Sequence, residues 1–204
     1  KPAYNAQIST ENQFILNYTL HQNPMDTTTL VSHLDNFKES YGQEVFSAIE
    51  SLTADAGYGS EENYQLLEEL KIEAFVKYNT FDKEQDEHYQ NKHKTFSKEH
   101  LHYNREQDFY VCPMGQKMEK THESTTKTKN GFIQKQSHYQ AKNCSGCPLR
   151  SRCHQSKENR SIERNHNLER HKELARKRLK SEEGIQKRKK RCCDVEPVET
   201  QSPF

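Results

Sequence analysis

The chain has 204 residues, of which 30% are hydrophobic and 30% charged, with a mean hydropathy of -1.22. That is thin for one compact core of this length, and it predicts a small core joined to a large polar part. No run of about 18 apolar residues and no charged-then-apolar leader is present, which excludes a membrane-spanning helix and a visible secretion signal and sets the six Cys in a reducing, cytoplasmic setting as thiols free or on metal.

The first 80 residues carry clear periodicities. "AYNAQIST" (3–10) alternates, with Tyr4, Ala6 and Ile8 on one side. "ENQ" supplies a turn and "FILNYTLH" (14–21) follows, which predicts a β-hairpin. In "NPMDTTTLVSHLDNFKESYG", Asp26 suits an N-cap, Leu30, Leu34 and Phe37 recur at helical spacing, and Gly42 offers an end. "VFSAIESLTAD" predicts a strand finishing at Asp55. Ser60 suits a second N-cap, with Asn63 rather than Glu at the third helical position. The helix it starts should run over about 61–71, turning Leu66, Leu67 and Leu70 inward. "IEAFVKY" (72–78) predicts another strand. The order β-β-α-β-α-β is that of an α/β layer fold with a mixed sheet.

Beyond residue 78 the pattern dissolves. Residues 79–105 are polar and aperiodic, "DFYVCP" (108–113) reads as a short strand running into a Cys turn, and "GFIQKQSHYQA" (131–141) as a further strand. Residues 159–191 read as a basic helical stretch broken at Gly184. Three segments result: an α/β core over 1–80, a polar Cys-rich insertion over 81–158, and a basic helical segment with a short tail over 159–204. Charge follows the same division. Residues 1–78 hold 4 Lys/Arg against 12 Asp/Glu, and residues 79–204 hold 27 against 18. A basic second part points to a nucleic-acid partner, and a solvated helical surface is the plainer alternative.

Three groups of residues carry candidate chemistry. Asp55 stands at a strand end before "AGYGS", where α/β folds gather active sites, although such an Asp also suits a turn-capping role. Cys112, Cys144, Cys147 and Cys153 offer four thiols, two of them in C-x-x-C, for a tetrahedral structural Zn²⁺. His154 is a substitute for Cys153, and free thiols are the alternative. Cys192 and Cys193 lie in the basic helix, apart from that set. Arg176, Lys177, Arg178, Lys187, Arg188, Lys189, Lys190 and Arg191 could neutralise phosphates of a DNA backbone. None of these features reads bases.

"ADAGYGSEENYQLLEELKIEAFVKYN", the upstream "KPAYNAQISTENQFILNYTLHQNPMDTTTL", the "C…CSGCPLRSRC" insert and "VEPV" near the C-terminus resemble successive blocks of bacterial insertion-sequence transposases of the DDE type. The resemblance covers nearly all of residues 1–198. It implies an RNase H-like mixed sheet with flanking helices, in which Asp55 is the second catalytic acid and Glu196 the third. It also implies that the first strand of the β-β-β-α-β-α-β core, with the first catalytic Asp, lies upstream of Lys1. Lys1-Pro2 is no initiator Met, and "ETQSPF" departs from the family's continuation after the third acid, so the chain reads as a fragment open at both ends. The family cleaves and transfers strands of double-stranded DNA, at element ends and target, with two Mg²⁺ or Mn²⁺ ions between three carboxylates. It works as a homo-oligomer. A fragment without the first Asp is expected to be inactive. The rival reading is a non-enzymatic zinc-binding nucleic-acid module derived from a decayed transposase.

Overall fold

Asn12 and Gln13 both adopt left-handed backbone, with φ of 51° and 67°. Such a two-residue turn matches the twist of an antiparallel pair. It joins β1 (Asn5–Glu11) to β2 (Phe14–His21), in the register Ala6 opposite Leu20 and Ile8 opposite Tyr18. The hairpin is therefore the predicted one. The computed structural model describes residues 4–86, 88 and 96–200, with side chains through residue 195. One face of the hairpin is polar and buried. Gln7 and Asn17 are covered there, and Asn17 Nδ2 donates to the His33 carbonyl. Ile8, Leu16, Tyr18 and Leu20 lie on the other face and are exposed.

Residues 30–37 have the expected helical face, with Leu30, Leu34 and Phe37 buried. The helix α1 (Leu30–Ser47) does not end at Gly42. Gly42 takes φ 82° and ψ 169°, a conformation open to glycine, and the chain kinks there and resumes its helix. Val45, Phe46 and Ser47 are thus helical, and the strand predicted from 45 onward shrinks to β3 (Ser51–Ala54).

Next, Ser60 caps α2 (Glu61–Glu69) by accepting from the Asn63 amide at 3.2 Å. The helix buries Tyr64 and Leu67, with Leu66 half-buried. Leu70, expected inward, lies past the helix end and is exposed. The chain returns as β4 (Glu73–Val76), parallel to β3, with Leu52 opposite Ala74 and Thr53 opposite Phe75. The Tyr64 hydroxyl donates to the Val76 carbonyl at 3.0 Å and fixes helix to strand. The expected single mixed sheet is not formed. Among the described residues, β1–β2 and β3–β4 are two separate two-stranded sheets.

A five-stranded antiparallel sheet follows, in chain order: β5 (Tyr103–Asn104), β6 (Phe109–Val111), β7 (Lys117–Lys127), β8 (Ile133–Ala141) and β9 (Ser161–Arg164). Its core is Tyr110, Met118, Tyr139, Ala141, Cys144 and Ile162. β6 and β8 were legible in sequence. β7 was not, because Met118 is its one buried residue and no apolar alternation marks it.

A single helical turn, α3 (Arg150–Cys153), precedes β9. The basic stretch then forms α4 (His166–Lys180) and α5 (Glu182–Thr200). The break falls at Ser181 rather than Gly184. Ser181 Oγ donates to the Arg178 carbonyl at 2.6 Å and is 3.1 Å from the Gly184 amide, so one hydroxyl joins the end of α4 to the start of α5. A Cβ on Gly184 would stand 2.0 Å from the Arg178 carbonyl oxygen, so the joint requires glycine.

The chain divides into two units, residues 1–83 with 170–204 and residues 84–169. Among the described residues no helix is long and apolar enough to cross a membrane.

Candidate catalytic and metal sites

Asp55 directly follows β3, in extended backbone, before a 3-10 turn over Ala56–Tyr58. Two glycines let that turn pack closely. A Cβ on Gly59 would meet the Lys77 carbonyl oxygen at 2.3 Å, and one on Gly57 would meet Asp26 Oδ2 at 2.5 Å. Hence "AGYG" is a close-packing device as well as a turn. It also brings in Asp26, which the local pattern suits to a helix N-cap. Asp26 does not cap α1. It opens a 3-10 turn (Asp26–Thr28), and its Oδ1 accepts from Asn5 Nδ2 at 2.8 Å and Gln7 Nε2 at 3.1 Å. Its position over the Asp55 loop rests on partners about 20 residues earlier, which no local pattern reveals. Burial, with Asp26 adding to it, pushes the Tyr58 hydroxyl up to about 12.

The basic helix α5 reaches the same strand end. Arg191 Nη2 donates to Asp55 Oδ2 at 2.7 Å. One turn earlier Lys187 Nζ donates to Ser51 Oγ at 2.6 Å and lies 4.8 Å from the Phe75 ring centroid. Lys190 Nζ is 2.5 Å from Glu11 Oε1 and 3.8 Å from Asp194 Oδ2. One helix therefore touches β1, β3 and β4. Glu196 is on this helix, five residues beyond Arg191, and its side chain lies outside the described residues.

These contacts change the standing of the basic residues. Arg176 Nε donates to the Tyr78 hydroxyl at 2.9 Å, Arg178 Nε lies 3.2 Å from Glu73 Oε1, and Arg188 stacks over Phe81 at 5.4 Å. With Lys187, Lys190 and Arg191, six of the eight residues expected on DNA also hold the fold together. Lys177 and Lys189 are exposed.

The cysteine segment has knuckle geometry at two places. After Cys112 the chain turns through Gly115 (φ 80°), and the Gln116 amide lies 3.3 Å from Cys112 Sγ. Between Cys144 and Cys147 it turns through Gly146 (φ 68°), and the Arg160 amide lies 3.4 Å from Cys144 Sγ. Cys112, Cys144, Cys147, Cys153 and His154 line one cavity of about 20 Å³, room for a single small ion or water. Both His154 ring nitrogens are buried with no hydrogen-bond partner. Its pKa is lowered by burial and by the Arg150 and Arg160 cations. Even so, among the described residues no three His, Cys, Asp or Glu side chains are arranged to hold a metal ion, so the expected closed four-thiol cluster is not formed. The physical reason is Arg160. Its Nη1 donates to Cys153 Sγ at 2.7 Å, which sets a guanidinium against the fourth thiol. No spacing or motif marks Arg160 in the sequence.

A family model described as the transposase DDE domain matches residues 111–202, a little under half of the chain. The match takes in the four cavity-lining cysteines, both basic helices and Glu196, and over these residues it bears out the resemblance to DDE transposases; Asp55 and the blocks before residue 111 lie outside it. No curated protein and no solved structure matches.

Proposed function

We propose that this chain, whose residues 111–202 match the transposase DDE domain model, is part of an enzyme that cleaves and transfers DNA strands, with Asp55 and Glu196 as two of its three carboxylates. The observation that carries the reading is the 2.7 Å Arg191–Asp55 contact. It joins two residues 136 positions apart, and it brings the helix of Glu196 to the strand end of Asp55. Both acids then belong to one end of the first unit. A cation already sits on Asp55 Oδ2, in the form of the Arg191 guanidinium, so the carboxylate is placed to accept positive charge. Asp55 and Glu196 would hold the divalent ions, Mg²⁺ or Mn²⁺, that the family uses. When bound, such a pair activates the attacking hydroxyl and steadies the leaving oxygen of the phosphodiester. The residues of this chain position the rest. Arg191 orients Asp55, Lys187 and Lys190 fix α5 to β3 and β1, and exposed Lys177 and Lys189 meet backbone phosphates of double-stranded DNA.

Two finer readings belong to the same proposal. The separate β1–β2 and β3–β4 sheets support a core whose central strand, carrying the first acid, is supplied from outside residues 1–204, and the chain by itself is inactive. A structural Zn²⁺ on Cys112, Cys144, Cys147 and Cys153 belongs to this proposal only with a rearrangement, since Arg160 has to leave Cys153 before the four thiols can close on an ion.

The test is a nicking and strand-transfer assay with Mg²⁺ or Mn²⁺ on cognate ends. It compares the chain with a version extended to include the upstream strand. The extended chain should act, and Asp55→Ala or Glu196→Ala should lower its rate at least a thousandfold. Full activity in either variant removes that residue from the reaction. Cleavage by the unextended chain, lost in Asp55→Ala, would show that the first strand is dispensable.

A further inference from the structure

β7 and β8 are longer than the sheet that holds them. β6 pairs with β7 only at Lys117–Glu119, and β9 pairs with β8 only at Ser137–Gln140. From Ser124 to Gln136 the two strands therefore pair only with each other among the described residues, and they end in a turn over 128–132. The turn is closed by the Thr128 amide on the Phe132 carbonyl at 2.8 Å and opened to its shape by Gly131 at φ 93°. At about 3.3 Å per residue the free ribbon extends roughly 15 Å past the sheet.

Its composition is one-sided. Residues 124–136, "STTKTKNGFIQKQ", contain Lys127, Lys129 and Lys135 and no carboxylate. The register sorts the side chains into two faces, since paired residues share a face and neighbours alternate. Lys127 opposite Ile133 and Thr125 opposite Lys135 make a basic face. Ser124 opposite Gln136 and Thr126 opposite Gln134 make a face of hydroxyls and amides. Every one of these residues is exposed or half-exposed.

We propose that this ribbon enters a groove of duplex DNA and is the element that reads sequence, an inference that rests on the DNA reading above. A two-stranded ribbon fits the major groove, which is about 12 Å wide. The lysines supply charge for phosphates. Gln amides and Ser or Thr hydroxyls are the groups that bond base edges, Gln to adenine above all. A lysine on each of the two strands also disfavours pairing with another protein strand, and the absence of any carboxylate over 124–136 suits a polyanion.

The experiment uses the full chain and a pool of randomised 20-base-pair duplexes. Duplexes enriched by binding are measured against scrambled ones by fluorescence anisotropy over a salt series. Lys127→Ala with Lys135→Ala should flatten the slope of log affinity against log salt by about 2, one unit per lost phosphate contact, and leave sequence preference unchanged. Gln134→Ala with Gln136→Ala should cut preference at least tenfold and leave scrambled-duplex binding as it was. All four positions are exposed or half-exposed, and circular dichroism melting confirms that each variant folds. If both ribbon variants behave as the parent while Lys177→Ala with Lys189→Ala loses binding, the ribbon is not the reader and DNA binding stands. A parent that enriches no preferred sequence overturns base reading. A parent that binds no duplex, or prefers single-stranded RNA, overturns both the ribbon and the DNA reading.

Discussion

His33 shows how one side chain couples burial to pH. Its ring lies under the hairpin, with Nε2 2.7 Å from Ser9 Oγ and Nδ1 2.7 Å from Thr19 Oγ1. Burial, with His21 adding to it, pushes its pKa down to about 4 from an ordinary 6.5. The unfolded chain therefore takes up this proton at a higher pH than the folded one. The contribution to stability is complete above pH 6.5, shrinks as pH falls, and is lost by about pH 4. A shift of this size corresponds to roughly 3 kcal/mol at most. Urea denaturation of the parent across pH 7.5 to 4 should show that decline, and His33→Asn should flatten it. An equal slope in both proteins would assign the pH dependence to other groups. His33 was not legible as a buried titratable residue. It falls on the apolar face of α1 by periodicity, but the hydroxyls that receive it come from β1 and β2.

At the scale of elements, legibility followed how local the cause was. The hairpin, α2 and β4 were read correctly because turn, cap and alternation are written within a few residues. Ser60→Ala tests one such signal. It leaves the Asn63 amide without its acceptor and should cost about 1 kcal/mol, measured by thermal or urea unfolding. No measurable loss would mean that packing of Tyr64 and Leu67 alone sets the start of α2. The long β7 and short β9 escaped, since their pairing with β8 rather than any apolar alternation makes them strands. The Cys segment was half legible. Spacing showed the four thiols, and only the fold showed Arg160 against one of them. On the zinc proposal, the purified chain should carry about one zinc per molecule by elemental analysis. Cys144→Ser should abolish that content and lower the melting temperature of the 84–169 unit, whereas Cys192→Ser with Cys193→Ser should not. Zinc content unchanged by Cys144→Ser would leave the four thiols as cavity lining.

At the scale of the whole molecule, the features that matter most join residues far apart in sequence. Arg191 meets Asp55, Lys190 meets Glu11 and Lys187 meets Ser51, and in each pair the sequence showed two charged or polar residues with nothing to connect them. The same contacts bring two small sheets to one helix without joining them. Helix α5 touches both small sheets, yet among the described residues β1 pairs only with β2 and β3 only with β4. Each keeps a backbone edge whose amides have no sheet partner, and unpaired backbone groups of that kind favour capture of a further strand. The exposed Ile8, Leu16, Tyr18 and Leu20 on the same hairpin show that this half of the unit also has apolar surface left to cover. One strand inserted between β1 and β3 would convert two marginal two-stranded sheets into a five-stranded mixed sheet and would set its own acid beside Asp55. Hydrogen exchange tests this. In the 204-residue chain, alternate amides of β1 and β3 should exchange quickly. In a chain extended upstream through the proposed first strand, the same amides should slow at least a hundredfold, while amides of β7 and β8 keep their rates. Equal exchange of β1 and β3 in the two chains would show that the added strand docks elsewhere, and the assignment of Asp55 to a shared catalytic centre would lose its structural ground.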